Sequence, residues 1–152
     1  VVIIRPPLVY GANSPGNFAS LIKWVRRGIP LPLGAIHNKR SFVALDNLIS
    51  FIIHCIEHPR ASNEVFLISD CEDVSTTQFL HKLINAMNKS LWLIPVPTKL
   101  IIVTANFIGK GDMAHRLLSS LRIDSSKALN LLNWKPVVTM DEQMQKIIDS
   151  DL

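Results

Sequence analysis

Arginine, asparagine, histidine and cysteine are the side chains here whose chemistry and position invite a functional reading. Arg40 stands in Lys39-Arg40-Ser41-Phe42-Val43, at the start of a short β-prone run. A guanidinium offers a planar fork of donors matched to phosphate oxygens. The alternative is a solvated arginine on an edge strand beside Lys39. Asn17 follows Pro15-Gly16, where a helical apolar period begins. A helix N-terminus favours an anion, and an asparagine there equally serves as a plain N-cap. The two roles coexist, because the terminus needs only some of its donors satisfied internally. His54 and His58 are four apart on a helical pattern, a spacing that could bind zinc. The intervening Cys55-Ile56-Glu57 is not the zinc-protease arrangement, and no third ligand accompanies the pair. His58, at the helix end before Pro59, reads more simply as a favourable contact with the helix dipole. Cys55 and Cys71 lack metal-ligand spacing, and Cys55 falls on an apolar helical face as a reduced core thiol would.

These residues need elements to position them. Val1-Val2-Ile3-Ile4 reads as a strand buried on both faces, inside a parallel sheet. Arg5 closes it, Pro6-Pro7 forbids further ladder bonding, and Tyr10-Gly11 opens a loop that runs on through Asn13-Ser14-Pro15-Gly16. Ligands of open α/β sheets collect where strands end, and this strand reads as one piece of a sheet whose other strands lie outside the chain. Phe18, Leu21, Ile22 and Val25 give a helix stopped at Gly28. Residues 29–34 are extended and too proline-rich for a central strand, and residues 39–45 give a short strand. Asp46 is placed to cap a helix carrying Leu48, Phe51, Ile52, Cys55 and Ile56 inward. A strand over 64–68 follows, then a capping box, Ser75 to Gln78, that starts a helix. Residues 91–95 suit a short strand and 98–108 a buried helix. Asp124-Ser125-Ser126 caps a short helix through Leu132, and Thr139 to Glu142 is a second capping box for a terminal helix.

The pattern is α/β: a small mixed sheet with several helices, in a single domain or domain fragment spanning 1–152, without the regular βαβ alternation of a complete doubly wound domain. A length of 152 residues with 48% hydrophobic content supports a sizeable core and argues against disorder. The net charge of +4 favours anionic partners. The bases are scattered rather than run together with aromatics, which argues against nucleic acid. Pro95, Pro97 and Lys99 interrupt the longest apolar stretch, making it a poor membrane span. No basic leader precedes the first strand, and a cytoplasmic location is the expectation.

Three landmarks in order carry a resemblance: Val1 to Gly11 (VVIIRPPLVYG), Lys39 to Val43 ahead of Asp46-Asn47-Leu48, and Leu132-Asn133-Trp134-Lys135-Pro136. Across essentially the whole chain the sequence resembles the extended short-chain dehydrogenase/reductases, in the nucleotide-sugar branch that includes UDP-glucose 4-epimerase and related bacterial surface-polysaccharide enzymes. The resemblance implies a Rossmann-type epimerase represented by its C-terminal, substrate-binding part, with residues 1–11 as a remnant of the Rossmann sheet's last strand. The partner missing is then the N-terminal Rossmann domain with its glycine-rich turn and catalytic Tyr-x-x-x-Lys pair. Tyr10 is the only tyrosine, with Ser14 four residues on, and the six glycines form no dinucleotide fingerprint. No catalytic residue is expected here, and the chain alone should be inactive.

By the same resemblance, Arg40 contacts the diphosphate of a UDP-sugar and Asn17 meets its pyrophosphate. Pro32 and Leu33 lie in the segment along the uracil, which backbone groups would read. Leu8 approaches the sugar where some relatives have asparagine, and Pro7 approaches the nicotinamide of NAD. Arg116, near Ser119 and Ser120, supplies a second phosphate or ribose contact, or is a surface arginine. The implied parent reaction is hydride removal from sugar C4 to NAD, rotation of the keto sugar, and hydride return to its other face. A C4-reductase or dehydratase shares the scaffold. A stand-alone, non-catalytic nucleotide-sugar or anion-binding module is the reading from a different class. An unpaired edge at 1–5 predicts self-association through that strand.

Overall fold

In a computed structural model of the chain, which describes residues 1–12 and 17–150 and all of their side chains except those of Asn17 and Met113, the double proline near the start decides how the strands are partnered. Strand β1 (Ile3–Arg5) runs parallel to β4 (Val65–Leu67), with Ile4 opposite Phe66. Strand β2 (Leu8–Tyr10) runs parallel to β3 (Arg40–Ala44), with Val9 opposite Val43. Pro6 and Pro7 have no N–H to give to a ladder, so the chain leaves one partner and joins another across them. This corrects the expectation of a single strand followed by a loop from Tyr10, because a second strand follows the prolines and Tyr10 ends it. Strand β5 (Asp73–Val74) completes a three-stranded mixed sheet of order β2-β3-β5 by pairing antiparallel with β3. Two residues are too short a run to show any period in sequence.

Parallel neighbours need long crossovers. Helix α1 (Asn17–Arg26) and the extended 29–39 segment connect β2 to β3, and helix α2 (Leu45–Glu57) lies between β3 and β4. Helices α3 (Thr76–Ala86), α4 (Thr98–Phe107), α5 (Gly111–Leu118), α6 (Ser126–Leu132) and α7 (Met140–Ser150) follow. A first core gathers Tyr10, Phe18, Phe42 and Phe79 with apolar residues of α1, α3 and α7, and Phe42 stacks on Phe79 at 4.4 Å. A second core lies under α2, where Phe51 meets Phe66 and Trp134 edge-on. Burying each such side chain stabilises the fold by about 1.5–3 kcal/mol.

Both capping boxes are present: Ser75 and Gln78 bond reciprocally at the start of α3, and Thr139 and Glu142 do so before α7. Asp46 is not the cap of α2. Ala44 holds that position, and Asp46 sits in the first turn, where its carboxylate suits the helix dipole and takes a hydrogen bond from Lys146 at 2.8 Å. Ser125 precedes α6 without a side-chain cap bond, and Asp124 accepts from the Ser126 N–H at 2.9 Å. Residues 91–95 form a single bridge, Leu93 beside Leu31, rather than a strand. Helix α4 forms as expected but has no buried residue; it lies on the surface packed along α5. Gly109, at φ 70°, adopts the left-handed turn between them, and α5 itself had no sequence expectation.

One buried polar hub ties the layers together. Asp70 accepts from the Tyr10 hydroxyl at 2.6 Å, the Ala44 N–H at 2.9 Å and the Asn47 side-chain amide at 2.7 Å. Asn47 also accepts from the N–H groups of Val137 and Val138 and donates to the Val138 carbonyl. The hub therefore joins β2, β3, α2 and the loop entering α7. Burial pushes the Asp70 carboxyl above its ordinary range, against the hydrogen bonds from Tyr10, Asn47 and Ala44. Burial and the adjacent Asp70 push the Tyr10 phenol upward as well, so it remains a donor.

Candidate functional site

Arg40 is the first residue of β3, delivered there by the proline-rich crossover, and it is half-buried. Its Nη1 donates to the main-chain carbonyl of Arg116 in the last turn of α5. Burial lowers the affinity of its guanidinium for its proton relative to water, an energetic bias toward an anionic partner. Asn38 fixes this geometry. Its side-chain amide donates to the carbonyls of Leu117 and Ser119 at 3.0 Å each, and its carbonyl oxygen accepts from the Thr76 N–H at 2.9 Å. The last carbonyls of α5, which no intrahelical donor reaches, are thus held against the start of α3 and beside Arg40. An asparagine between His37 and Lys39 reads as surface, so no local signal marks it.

Two cavities meet here. The smaller, about 30 Å³, includes Leu8, Arg40, Phe42, Thr76 and Leu117 in its lining. That is room for little more than one water. The larger is an open cleft of about 380 Å³ between the 29–33 segment, α4 and α5, with Trp24, Pro32, Leu33, Ile101 and Leu117 among its walls. Leu117 is common to both. The structure therefore brings Leu8 and Arg40 together, attaches Arg116 through its carbonyl, and puts Pro32 and Leu33 one side chain away. Pro7 lines neither cavity and belongs to the step between β1 and β2. Asn17 is the first residue of α1. Its side chain, and with it the proposed pyrophosphate contact, lies outside the described residues, as does the 13–16 loop.

The backbone of the 31–34 segment is largely engaged within the fold. The Leu31 N–H donates to the Trp92 carbonyl at 3.4 Å, and the Leu31 carbonyl accepts from Ile94 at 2.8 Å. The Gly34 N–H donates to the Ile94 carbonyl at 3.0 Å. The Leu33 carbonyl accepts from the Thr77 hydroxyl at 2.6 Å.

The histidine pair has other partners. His54 Nε2 faces the Leu132 carbonyl at 2.8 Å, so it carries the proton there, and His58 Nδ1 accepts from the Arg60 N–H at 3.3 Å. Among the described residues no three His, Cys, Asp or Glu side chains come together as a metal set. A nicotinamide dinucleotide needs a glycine cradle for its pyrophosphate. Among the described glycines, Gly11, Gly34 and Gly111 are close against Leu45, Leu93 and Asn106, and Gly28 and Gly109 serve turns. Among the described residues no glycine offers that cradle.

No family model matches the chain. It is 46% identical over 143 residues to UDP-glucose 4-epimerase of Vibrio cholerae, an alignment covering 93% of this chain and 44% of the relative. It is 27% identical over 97 residues to the N-acetyl-α-D-glucosaminyl-diphospho-ditrans,octacis-undecaprenol 4-epimerase of Escherichia coli O157:H7, covering 64% of this chain and 29% of that one. Among solved structures it resembles UDP-glucuronic acid 4-epimerase from Bacillus cereus in complex with NAD, with a TM-score of 0.72 at 22% identity, over 97% of this chain and 43% of that chain. The likeness to the solved structure is one of fold. The chain spans less than half the length of each of these relatives, and among its described residues no helix is long and apolar enough to cross a membrane.

Proposed function

The chain belongs to the extended short-chain dehydrogenase/reductase family, in its nucleotide-sugar epimerase branch, and from that premise we propose that it is the C-terminal, substrate-holding part of an NAD-dependent 4-epimerase acting on a UDP-linked sugar. The observation that carries this reading is Arg40, a half-buried guanidinium fixed at a strand end by the Arg116 carbonyl and bordered by Leu8. Its fork grips the diphosphate, as resemblance assigns it, and Arg116, whose main-chain carbonyl holds Arg40, is assigned by the same resemblance a second phosphate or ribose contact. Asn17 extends the grip from the N-terminus of α1. Pro32 and Leu33 line the space next to it, and Leu8 faces the sugar with no hydrogen-bond partner to offer.

The redox step belongs to NAD and to a tyrosine–lysine pair, which a dinucleotide-binding portion outside these residues supplies. What this portion contributes is position. Holding the diphosphate fixes where the sugar ring lies, and orientation of that kind is a substantial part of catalysis. The role we propose for the whole enzyme is in the sugar-building steps of surface-polysaccharide synthesis, as the resemblance implies.

Calorimetric titration with UDP-glucose, UDP-N-acetylglucosamine and uridine tests the reading. Saturable binding that requires the diphosphate is expected, with Arg40→Ala weakening it about tenfold or more, as loss of a charge-assisted contact does. The chain with NAD alone should not interconvert the sugars. Uridine binding as tightly as UDP-glucose, or an Arg40→Ala variant that binds unchanged, would sink the proposal.

A further inference from the structure

Charge is distributed unevenly along the chain. No aspartate or glutamate occurs from Val1 to Leu45 or from Val74 to Gly111, so all 12 acids fall in 46–73 and 112–152. The fold brings parts of the two acid-free stretches together. Leu31 bridges to Leu93, and the open cleft has Trp24, Ile29 and Pro30 on one side and Ile101, Thr104 and Ile108 of α4 on the other. The segments around it carry the exposed bases Lys23, Arg27, Lys89, Lys99 and Lys110. None of these belongs to an ion pair among the described residues. The remaining wall, α5, adds one acid, Asp112, and Arg116. The result is a face of positive charge with almost nothing to offset it.

The same segments expose large apolar side chains. Helix α4 has a single charged residue, Lys99, and no buried one, although helices apolar on most sides are ordinarily buried. Outside the cleft, Leu100, Val103 and Phe107 recur at i, i+3 and i+7 as an exposed stripe, with Phe107 88% exposed. In the 91–95 segment Trp92 is 79% exposed. Apolar side chains left in water at this density mark an interaction surface, and tryptophan suits a boundary that is apolar on one side and wet on the other.

We propose that this face docks on a bilayer surface rich in anionic phospholipid. The α4 stripe and Trp92 enter the boundary between headgroups and acyl chains, and the bases meet lipid phosphates. Apolar and aromatic side chains combined with bases are what holds a protein in that plane. A second copy of the same face would set like charges against one another, and a nucleic acid would leave the apolar stripe in water. Among the described residues no helix is long and apolar enough to cross a membrane, so the chain lies on the surface. The stripe stands outside the cleft, and the proposal is independent of what Arg40 holds.

Co-sedimentation tests it, using the full chain with vesicles of phosphatidylglycerol and phosphatidylcholine in equal parts and with vesicles of phosphatidylcholine alone. Partitioning onto the anionic vesicles should be about tenfold or more stronger, since each base near the surface contributes about fivefold. Tryptophan emission should shift to shorter wavelength on those vesicles, and the shift should be smaller in Trp92→Phe. Val103→Glu combined with Phe107→Glu, and Lys89→Gln combined with Lys99→Gln, should each weaken partitioning about tenfold or more. None of these side chains lines the cleft, and all are exposed, so the thermal melt should stay where it is. Equal partitioning onto both vesicle types, or onto neither, overturns the proposal. Anionic binding that survives the paired glutamates overturns it too, because adsorption by charge alone would then account for the result. A defined dimer in sedimentation velocity that the same pair abolishes, without vesicle binding, assigns the face to a second copy instead.

Discussion

Replacing Tyr10 with phenylalanine removes one hydroxyl from a fully buried ring and leaves its edge-on contacts with Phe18, Phe42 and Phe79 in place. What is lost is the 2.6 Å hydrogen bond to the Asp70 carboxylate, which then keeps its donors from Ala44 and Asn47. A bond to a charged, buried acceptor is worth about 1.5–3 kcal/mol, and no solvent screens this one. The penalty should depend on pH. Burial raises the Asp70 carboxyl in the folded chain above its ordinary 3.8. The folded state therefore holds this proton more tightly than the unfolded state does. Its stabilising contribution is full below the ordinary value and is lost as pH rises through the raised one. The Tyr10 hydroxyl favours the ionised form, so Tyr10→Phe raises the carboxyl further. The destabilisation should be greatest at neutral pH and shrink as pH falls through the raised value. Equilibrium urea unfolding of both chains across that range measures it. A neutral-pH loss under about 0.5 kcal/mol, or one that does not diminish on acidification, would refute the reasoning.

Asn47→Ala removes bonds to Asp70, Val137 and Val138 at once and should cost about 3–5 kcal/mol, read as a lower urea midpoint. Asp73 is pushed upward by burial, but its bonds from the Ser41 hydroxyl and Arg122 hold it below its ordinary range overall. Its contribution is therefore present above that range and lost as pH falls through the lowered value. Asp73→Asn should flatten that acid limb by less than about 1 kcal/mol, because Arg122 is well exposed; thermal melts between mildly acidic and strongly acidic buffers measure it. Phe107→Ser, on the bare face of α4, should leave stability within about 0.5 kcal/mol while reducing concentration-dependent light scattering.

Periodicity and caps are local, and they were legible. The apolar spacing of α1, α3 and α7 and the reciprocal boxes at Ser75–Gln78 and Thr139–Glu142 arise from neighbours within a few residues. On α2 the expected inward face is only partly right: Phe51 and Cys55 are buried but Ile52 and Ile56 lie exposed, because among the described residues nothing packs over that side of the helix. The ordered landmarks around Tyr10, Arg40 and Trp134 carried the family, and a guanidinium at a strand end announced an anion site. Partner choice was not legible. Pro6-Pro7 marks a break in the ladder, but only the sheet reveals that the chain passes there from β4 to β3. The apolar run of α4 looked like core because hydrophobicity records composition, whereas burial depends on what packs against the outer face. Asn38, Asn47 and Asp70 lie far apart from their partners in sequence, and as single polar residues they read as surface. Sequence by itself determined most of the helices, the strands at 39–45 and 64–68, the family and the chemistry available at Arg40, but not β2, β5 or α5. Tertiary structure decided that Arg40 is braced by Arg116, that the 31–34 backbone is already engaged, and that an apolar cleft opens beside the grip. Those outcomes depend on contacts between segments distant along the chain, which no local pattern encodes.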